Sequence, residues 1–270
     1  MSNIEKAFND LATSGRKGFI PFVTAGDPDI DTSLAIVKKL AEMGATVIEL
    51  GLPFSDPMAD GPTIQRSSQR SLAAGTDLGK ILEMVKEFRE TSNVPVVLFS
   101  YLNPLLRYGF DKLCVACSEA GIDAILITDV IGLEAKEIGH QLRQHGIDLI
   151  SLIAPTTTDD RIREIAESAS GFIYAVSRAG VTGARSEMTN DARQLVERAR
   201  KFTNLPIAVG FGISTSEQVR SVWEYADAAV VGSAIVSVVE KSAGVEDPVQ
   251  AVGRLVEALT PEIANQTKEV

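Results

Sequence analysis

Apolar, β-branched runs recur along the whole chain, at 19–24, 46–50, 95–100, 124–128, 148–154, 172–177, 206–211 and 228–231. That recurrence narrows the choice of fold more than anything else in the sequence. Between the runs lie segments with apolar residues at helical spacing, such as Leu34, Val37, Leu40 and Ala41 in "DTSLAIVKKLAEMG". The joints are alike. "EMGATVIEL", "EAGIDAILI" and "QHGIDLISL" each place a glycine just past a helix end, then a few residues, then a strand. Glycine there suits a left-handed helix cap. Strands that are apolar nearly throughout, alternating with helices, imply a parallel sheet covered on its faces.

About eight such units in 270 residues predict a closed (β/α)8 TIM barrel, with an open doubly wound sheet as the alternative. No Pro/Ser-rich linker interrupts the pattern, so residues 1–270 read as a single domain. Before the first strand, "NIEKAFNDL" is amphipathic, with Ile4, Ala7, Phe8 and Leu11 on one side. It is expected to form an extra N-terminal helix that closes the N-terminal end of the barrel.

A formal charge of -10 argues against nucleic acid or an anionic membrane as partner. The first residues carry acids and no apolar core of a signal, and no run is long enough to span a bilayer, so a soluble cytoplasmic protein is expected. Cys114 and Cys117, with His140 and His145, faintly imitate a zinc finger. The apolar run "AILITDVIG" between the pairs reads as a buried strand, and "DKLCVACSEAG" as a helix ending at Gly121. The cysteines are expected to be buried hydrophobes, and no metal is expected.

Barrel enzymes place their chemistry at the C-terminal strand ends. There the chain reads "ELGLPFSDPMADGPT", residues 49–63. Glu49 shares a strand face with Val47 and Gly51, so it meets an apolar layer whichever way the strand faces. An unpaired buried carboxylate is costly or protonated, which makes Glu49 a candidate acid/base group; a buried ion pair is the alternative. Asp60 lies on a loop stiffened by Pro53, Pro57, Gly61 and Pro62. It can hang a second carboxylate over the mouth, or simply form a turn; Asp56 reads as a turn former or surface residue.

Glycines also mark the ends of strands 7 and 8, in "VGFGIST" (Gly210, Gly212) and "VGSAIV" (Gly232, followed by Ser233). They allow backbone N–H groups to approach an anion, and the helix starting after Gly232 would point its N-terminus at the same place. A phosphate cup is the functional reading and ordinary turn glycines the bland one. After strand 6 the long polar segment "SRAGVTGARSEMTND", with Gly180 and Gly183, suits a lid over the mouth or an inert loop.

Taken together, "PFVTAGDP", "ELGLPFSDPMADGPTIQ", "YLNP", "SRAGVTGAR", "GFGIS" and "VGSAIV" resemble the tryptophan synthase alpha subunit, from Phe22 to about Ile235. The resemblance implies retro-aldol cleavage of indole-3-glycerol phosphate to indole and glyceraldehyde 3-phosphate. It implies no cofactor in this chain, and a beta subunit that carries pyridoxal phosphate and consumes the indole in an alpha2beta2 tetramer. By the same resemblance Glu49, Asp60 and Tyr174 would be catalytic. Gly183, Gly212, Gly232 and Ser233 would hold the phosphate. Phe22, Leu126, Ile153, Thr182 and Phe211 would line the indole pocket, and Pro53, Asp56 and Asn103 would touch the partner. The chain departs from the family after strand 4, where "DVIGLEA" replaces a proline-rich D-L-P turn. A different phosphate-binding isomerase or epimerase would lack the motif at 53–63. A non-catalytic barrel that activates a partner would lack Glu49 or Asp60, and both are present.

Overall fold

The computed structural model describes residues 1–176, 185–210, 212–261 and 263, with the backbone alone at 185–190. Eight parallel strands close into a barrel in sequence order: β1 (Gly18–Thr24), β2 (Ile48–Gly51), β3 (Val96–Ser100), β4 (Ala124–Ile127), β5 (Asp148–Ile153), β6 (Ile173–Val176), β7 (Ile207–Gly210) and β8 (Ala228–Val231). Strand β8 pairs back onto β1, so the open doubly wound alternative is excluded. Helices precede and alternate with the strands: α1 (Asn3–Ser14), α2 (Ile30–Glu42), α3 (Pro62–Ala73), α4 (Leu78–Arg89), α5 (Leu102–Tyr108), α6 (Phe110–Ala120), α7 (Gly132–Arg143), α8 (Asp159–Ser168), α9 (Arg185–Ala199), α10 (Ser216–Trp223), α11 (Ser233–Ser242) and α12 (Pro248–Leu259).

Strand alternation sorts the core into two layers. Ile48, Leu50, Leu98, Ile125, Ile153 and Val209 face the helices. Ile20, Val47, Val97, Leu126, Ile150, Tyr174 and Val230 fill the barrel. Helix α1 plugs the N-terminal end as expected: Ile4 and Phe8 belong to the inner layer, and the Phe8 ring lies 5.7 Å from that of Phe172. Glycines 44, 121 and 146, which follow α2, α6 and α7, all take positive φ, as the repeated joints required. Cys114 and Cys117 are buried free thiols in the outer layer, and no metal-binding cluster occurs among the described residues.

The N-terminal end is also laced by side chains. The amides of Phe19, Val96, Leu149 and Ile207 donate to Thr46, Asp123, Ser170 and Asp227, each of which lies just ahead of the next strand. Those bonds join successive βα units at the end of the barrel away from the acidic motif. No described helix is long and apolar enough to cross a membrane.

Candidate functional site

Glu49 sits in the inner layer, in register between Phe22 of β1 and Val97 of β3. It is 1% exposed, and its Oε1 has no hydrogen-bond partner among the described residues. The ion-pair alternative therefore fails. Burial alone pushes the carboxyl up to about 8, so Glu49 holds a proton at neutral pH. Tyr174 is also buried in the inner layer. Its phenol is raised well above the usual value, first by burial and then by Glu49.

Two glycines make room around these groups. A side chain at Gly51 would run into the Phe22 ring, 2.5 Å from its nearest atom, and one at Gly210 would meet the Tyr174 hydroxyl at 2.2 Å. Each aromatic ring occupies space that its neighbouring strand leaves empty. The Phe22 ring in turn meets Phe99 edge-on at 5.3 Å. Gly210 thus owes its place to packing, whereas the sequence suggested anion approach. A glycine on an inward strand position is the signal for such close approach.

The loop between β2 and α3 carries Asp60. The Tyr101 hydroxyl donates to Asp60 Oδ2 at 3.1 Å and accepts from the Ala59 amide at 2.9 Å. Burial lifts Asp60 to about 6, against the lowering effect of the Tyr101 hydrogen bond. It is the more acidic of the two carboxyls and is ionised at neutral pH. Tyr101 was not singled out from the sequence, although it opens the quoted "YLNP" at the end of β3, where the barrel rule looks for functional residues.

After β7 and β8 the two helix starts differ. Thr215 and Gln218 form a capping box that satisfies the first turn of α10. Helix α11 has Gly232 at its N-cap and no side-chain cap, so its first N–H groups stay open to an anion. Ser233 is exposed beside them, and Gly212, with φ 73°, faces open space. Thr182, Gly183 and Phe211, and the lid expected around Gly180, lie outside the described residues.

Other expected site residues divide. Phe22 and Leu126 face the interior. Ile153 does not: it pairs with outward-facing Ala175 and is buried against the helices, while Leu152 takes the inner position. Strict alternation along β5 sets that parity. Pro53, expected to touch the partner, is buried in this chain, and Leu52 before it is packed in the outer layer. The exposed apolar residue is Met58, at 93%, next to exposed Ser55, Asp56 and Ala59. Asn103 is exposed at the start of α5. The unusual turn after β4 has its own anchor: Asp129 accepts the Leu102 amide at 2.8 Å and so ties to α5.

The tryptophan synthase alpha chain family model matches residues 8–267. The chain belongs to the tryptophan synthase alpha chain family. It is 46% identical to the tryptophan synthase alpha chain of Geobacter sulfurreducens over 265 residues, covering 98% of this chain and all of that one. It is also 46% identical to that of Neisseria meningitidis serogroup A over 260 residues, covering 96% and 98%. The crystal structure of tryptophan synthase subunit alpha from Legionella pneumophila superposes with a TM-score of 0.90 at 35% identity, covering 98% of this chain and 99% of that one. A chain of tryptophan synthase from M. tuberculosis in its aminoacrylate-bound form gives 0.86 at 30% identity, with 98% and 99% covered. As a member of that family, the chain is an enzyme subunit of the lyase type, and its acidic motif runs from β2 into the loop before α3.

Proposed function

We propose that this chain cleaves indole-3-glycerol phosphate to indole and glyceraldehyde 3-phosphate, and that Glu49 and Asp60 carry the reaction. Support comes from one observation above all: two partly or wholly buried carboxyls at the same barrel end, one held protonated near 8 and the other ionised above 6.

The steps balance in protons and electrons. Glu49 gives its proton to indole C3, which places positive charge on the ring nitrogen. Asp60, ionised, accepts the ring N–H hydrogen bond and offsets that charge. The glycerol hydroxyl next to C3 then loses its proton to the Glu49 carboxylate as a carbonyl forms. The electron pair of the breaking C–C bond returns to the indole ring. Glu49 ends protonated, ready for another cycle. The buried Tyr174 phenol stands beside Glu49 and adds no competing charge. Phe22 and Leu126 supply the apolar wall that a neutral aromatic needs. The open first turn of α11, with Gly232, Ser233 and Gly212, would seat the phosphate, and Gly183, Thr182 and Phe211 would complete the pocket.

The chain would work with a beta subunit that holds pyridoxal phosphate, as an alpha2beta2 tetramer. Asp56 and Met58 on the exposed part of the loop, and Asn103 on α5, stand where a partner over the mouth would meet them. The test is to incubate the purified chain with indole-3-glycerol phosphate and follow indole. Release of indole that depends on Glu49 is expected; no release with or without purified beta subunit would overturn the reading.

A further inference from the structure

Helix α3 begins directly after the Asp60 loop, and it is fastened by polar groups. Its buried residues are Ser67, Ser68 and Ser71. The Ser67 and Thr24 hydroxyls are 2.6 Å apart, and Ser71 donates to the Ala25 carbonyl at 2.6 Å. Next to these bonds lies a chain of charges. Arg70 forks onto buried Asp27, in the turn after β1, through Nε at 2.8 Å and Nη2 at 2.7 Å. Its third nitrogen, Nη1, donates to Glu240 of α11 at 2.9 Å. Arg66, one turn earlier on α3, forks onto the same Glu240 at 2.7 and 2.8 Å.

One guanidinium therefore joins three elements. The turn after β1 continues the strand that carries Phe22. Helix α3 carries the Asp60 loop on its N-terminus. Helix α11 carries the open anion seat on its own N-terminus. A short helix moves as a rod, so a tilt at Glu240 displaces the N–H groups at Ser233. We propose that Arg70 is a positioning residue: its guanidinium sets the separation between Asp60 and the anion seat of α11, so that one substrate molecule spans both. This rests on the lyase reading above.

The geometry separates this role from simple stabilisation. The Arg66 side chain is 50% exposed and that of Glu240 27%, and pairs open to solvent to this degree contribute little to folding. Asp27 is buried, so removing Arg70 outright would strand a carboxylate and destabilise the fold. Two milder variants avoid that. Arg70→Lys keeps the charge but cannot make the fork onto Asp27 together with the Glu240 bond. Glu240→Gln leaves the Asp27 pair intact and loosens only α11.

Positioning predicts damage to the whole substrate but not to its halves, because a displacement of about 1 Å misaligns reacting groups that each half still finds. The experiment measures kcat and KM for indole-3-glycerol phosphate. It also measures the affinities of indole alone and glycerol 3-phosphate alone, and Tm, for wild type and both variants. We expect kcat/KM to fall about 10- to 100-fold in Arg70→Lys and about 5-fold in Glu240→Gln, mostly in kcat. Half-ligand affinities should stay within about twofold, and Tm in Glu240→Gln should hold. Unchanged kcat/KM in both variants would overturn the proposal. So would parallel losses of half-ligand affinity and Tm, which would make Arg70 structural. A wild-type chain that releases no indole would instead sink the lyase reading itself, and this inference with it.

Discussion

Glu49 and Asp60 lie eleven residues apart and face the same barrel mouth, yet the molecule holds them in opposite ways. Glu49 is fixed by the sheet, in an apolar layer, with an oxygen that has no partner among the described residues. Asp60 is fixed by a loop, partly buried, with a tyrosine hydroxyl on its carboxylate. Burial raises both, but only Asp60 has a hydrogen bond that sustains its charge. The acid is built by withholding partners and the anion by supplying one. Neither residue type dictates its role; the element that carries it does.

The sharpest way to break this comparison is Glu49→Gln. Turnover should fall about 10²- to 10⁴-fold with substrate affinity largely kept; near wild-type turnover would make Glu49 structural. The same variant should change stability in a pH-dependent direction. The folded-state pKa near 8 lies above the ordinary 4.5. Between those values the unfolded chain releases a proton that the folded chain keeps, so wild-type stability declines as pH rises through that window. By pH 7 the decline attributable to Glu49 is about 3 kcal/mol. Gln cannot ionise. Thermal melts at pH 4.5 and pH 8 should therefore show the variant gaining on wild type at the higher pH, and a constant difference would contradict a protonated Glu49.

Asp60→Asn comes next, with a loss of roughly 10²-fold in turnover, because an amide can accept the ring N–H but cannot offset its positive charge. Glycerol 3-phosphate should bind this variant as it binds wild type, and a pure affinity defect would count against the assigned role. The pH profile of kcat/KM joins the two carboxyls. It should be bell-shaped, falling below about 6 as Asp60 protonates and above about 8 as Glu49 ionises. Asp60→Asn should erase the acid limb alone. The smallest effect is expected for Tyr101→Phe. Removing the hydrogen bond that lowers Asp60 should move the acid limb upward by less than about one pH unit, with a few-fold loss at pH 7. A downward move would refute the donor assignment.

Much of this arrangement was legible in the residues. The recurring strands, the glycine joints, the amphipathic opening helix and the isolated glutamate are local patterns, and local patterns carry their own geometry. The acidic loop motif was specific enough to name a family. What stayed hidden depends on parity or on distance. Ile153 and Leu152 differ by one position, and only the pairing of β5 with β6 decides which of them faces inward. Pro53 was expected on the partner-facing surface, but Leu52 before it still donates its amide to Phe99 and draws the chain inward. The bonds of Arg70 to Asp27 and Glu240 span 43 and 170 residues, and no spacing rule reaches that far.

The serine face of α3 has a consequence on heating. Helix α4, which follows it, is seated by Ile81, Leu82, Met84, Val85 and Phe88. Segments with little buried apolar surface open first, as units, well below the free energy of global unfolding. Helix α3 and the Asp60 loop should thus exchange their amide hydrogens ahead of α4 and come away from a barrel that is still closed. Inactivation would then precede melting, and the molecule would pass through a folded but silent form in which Glu49 keeps its proton and has no counter-charge across the mouth.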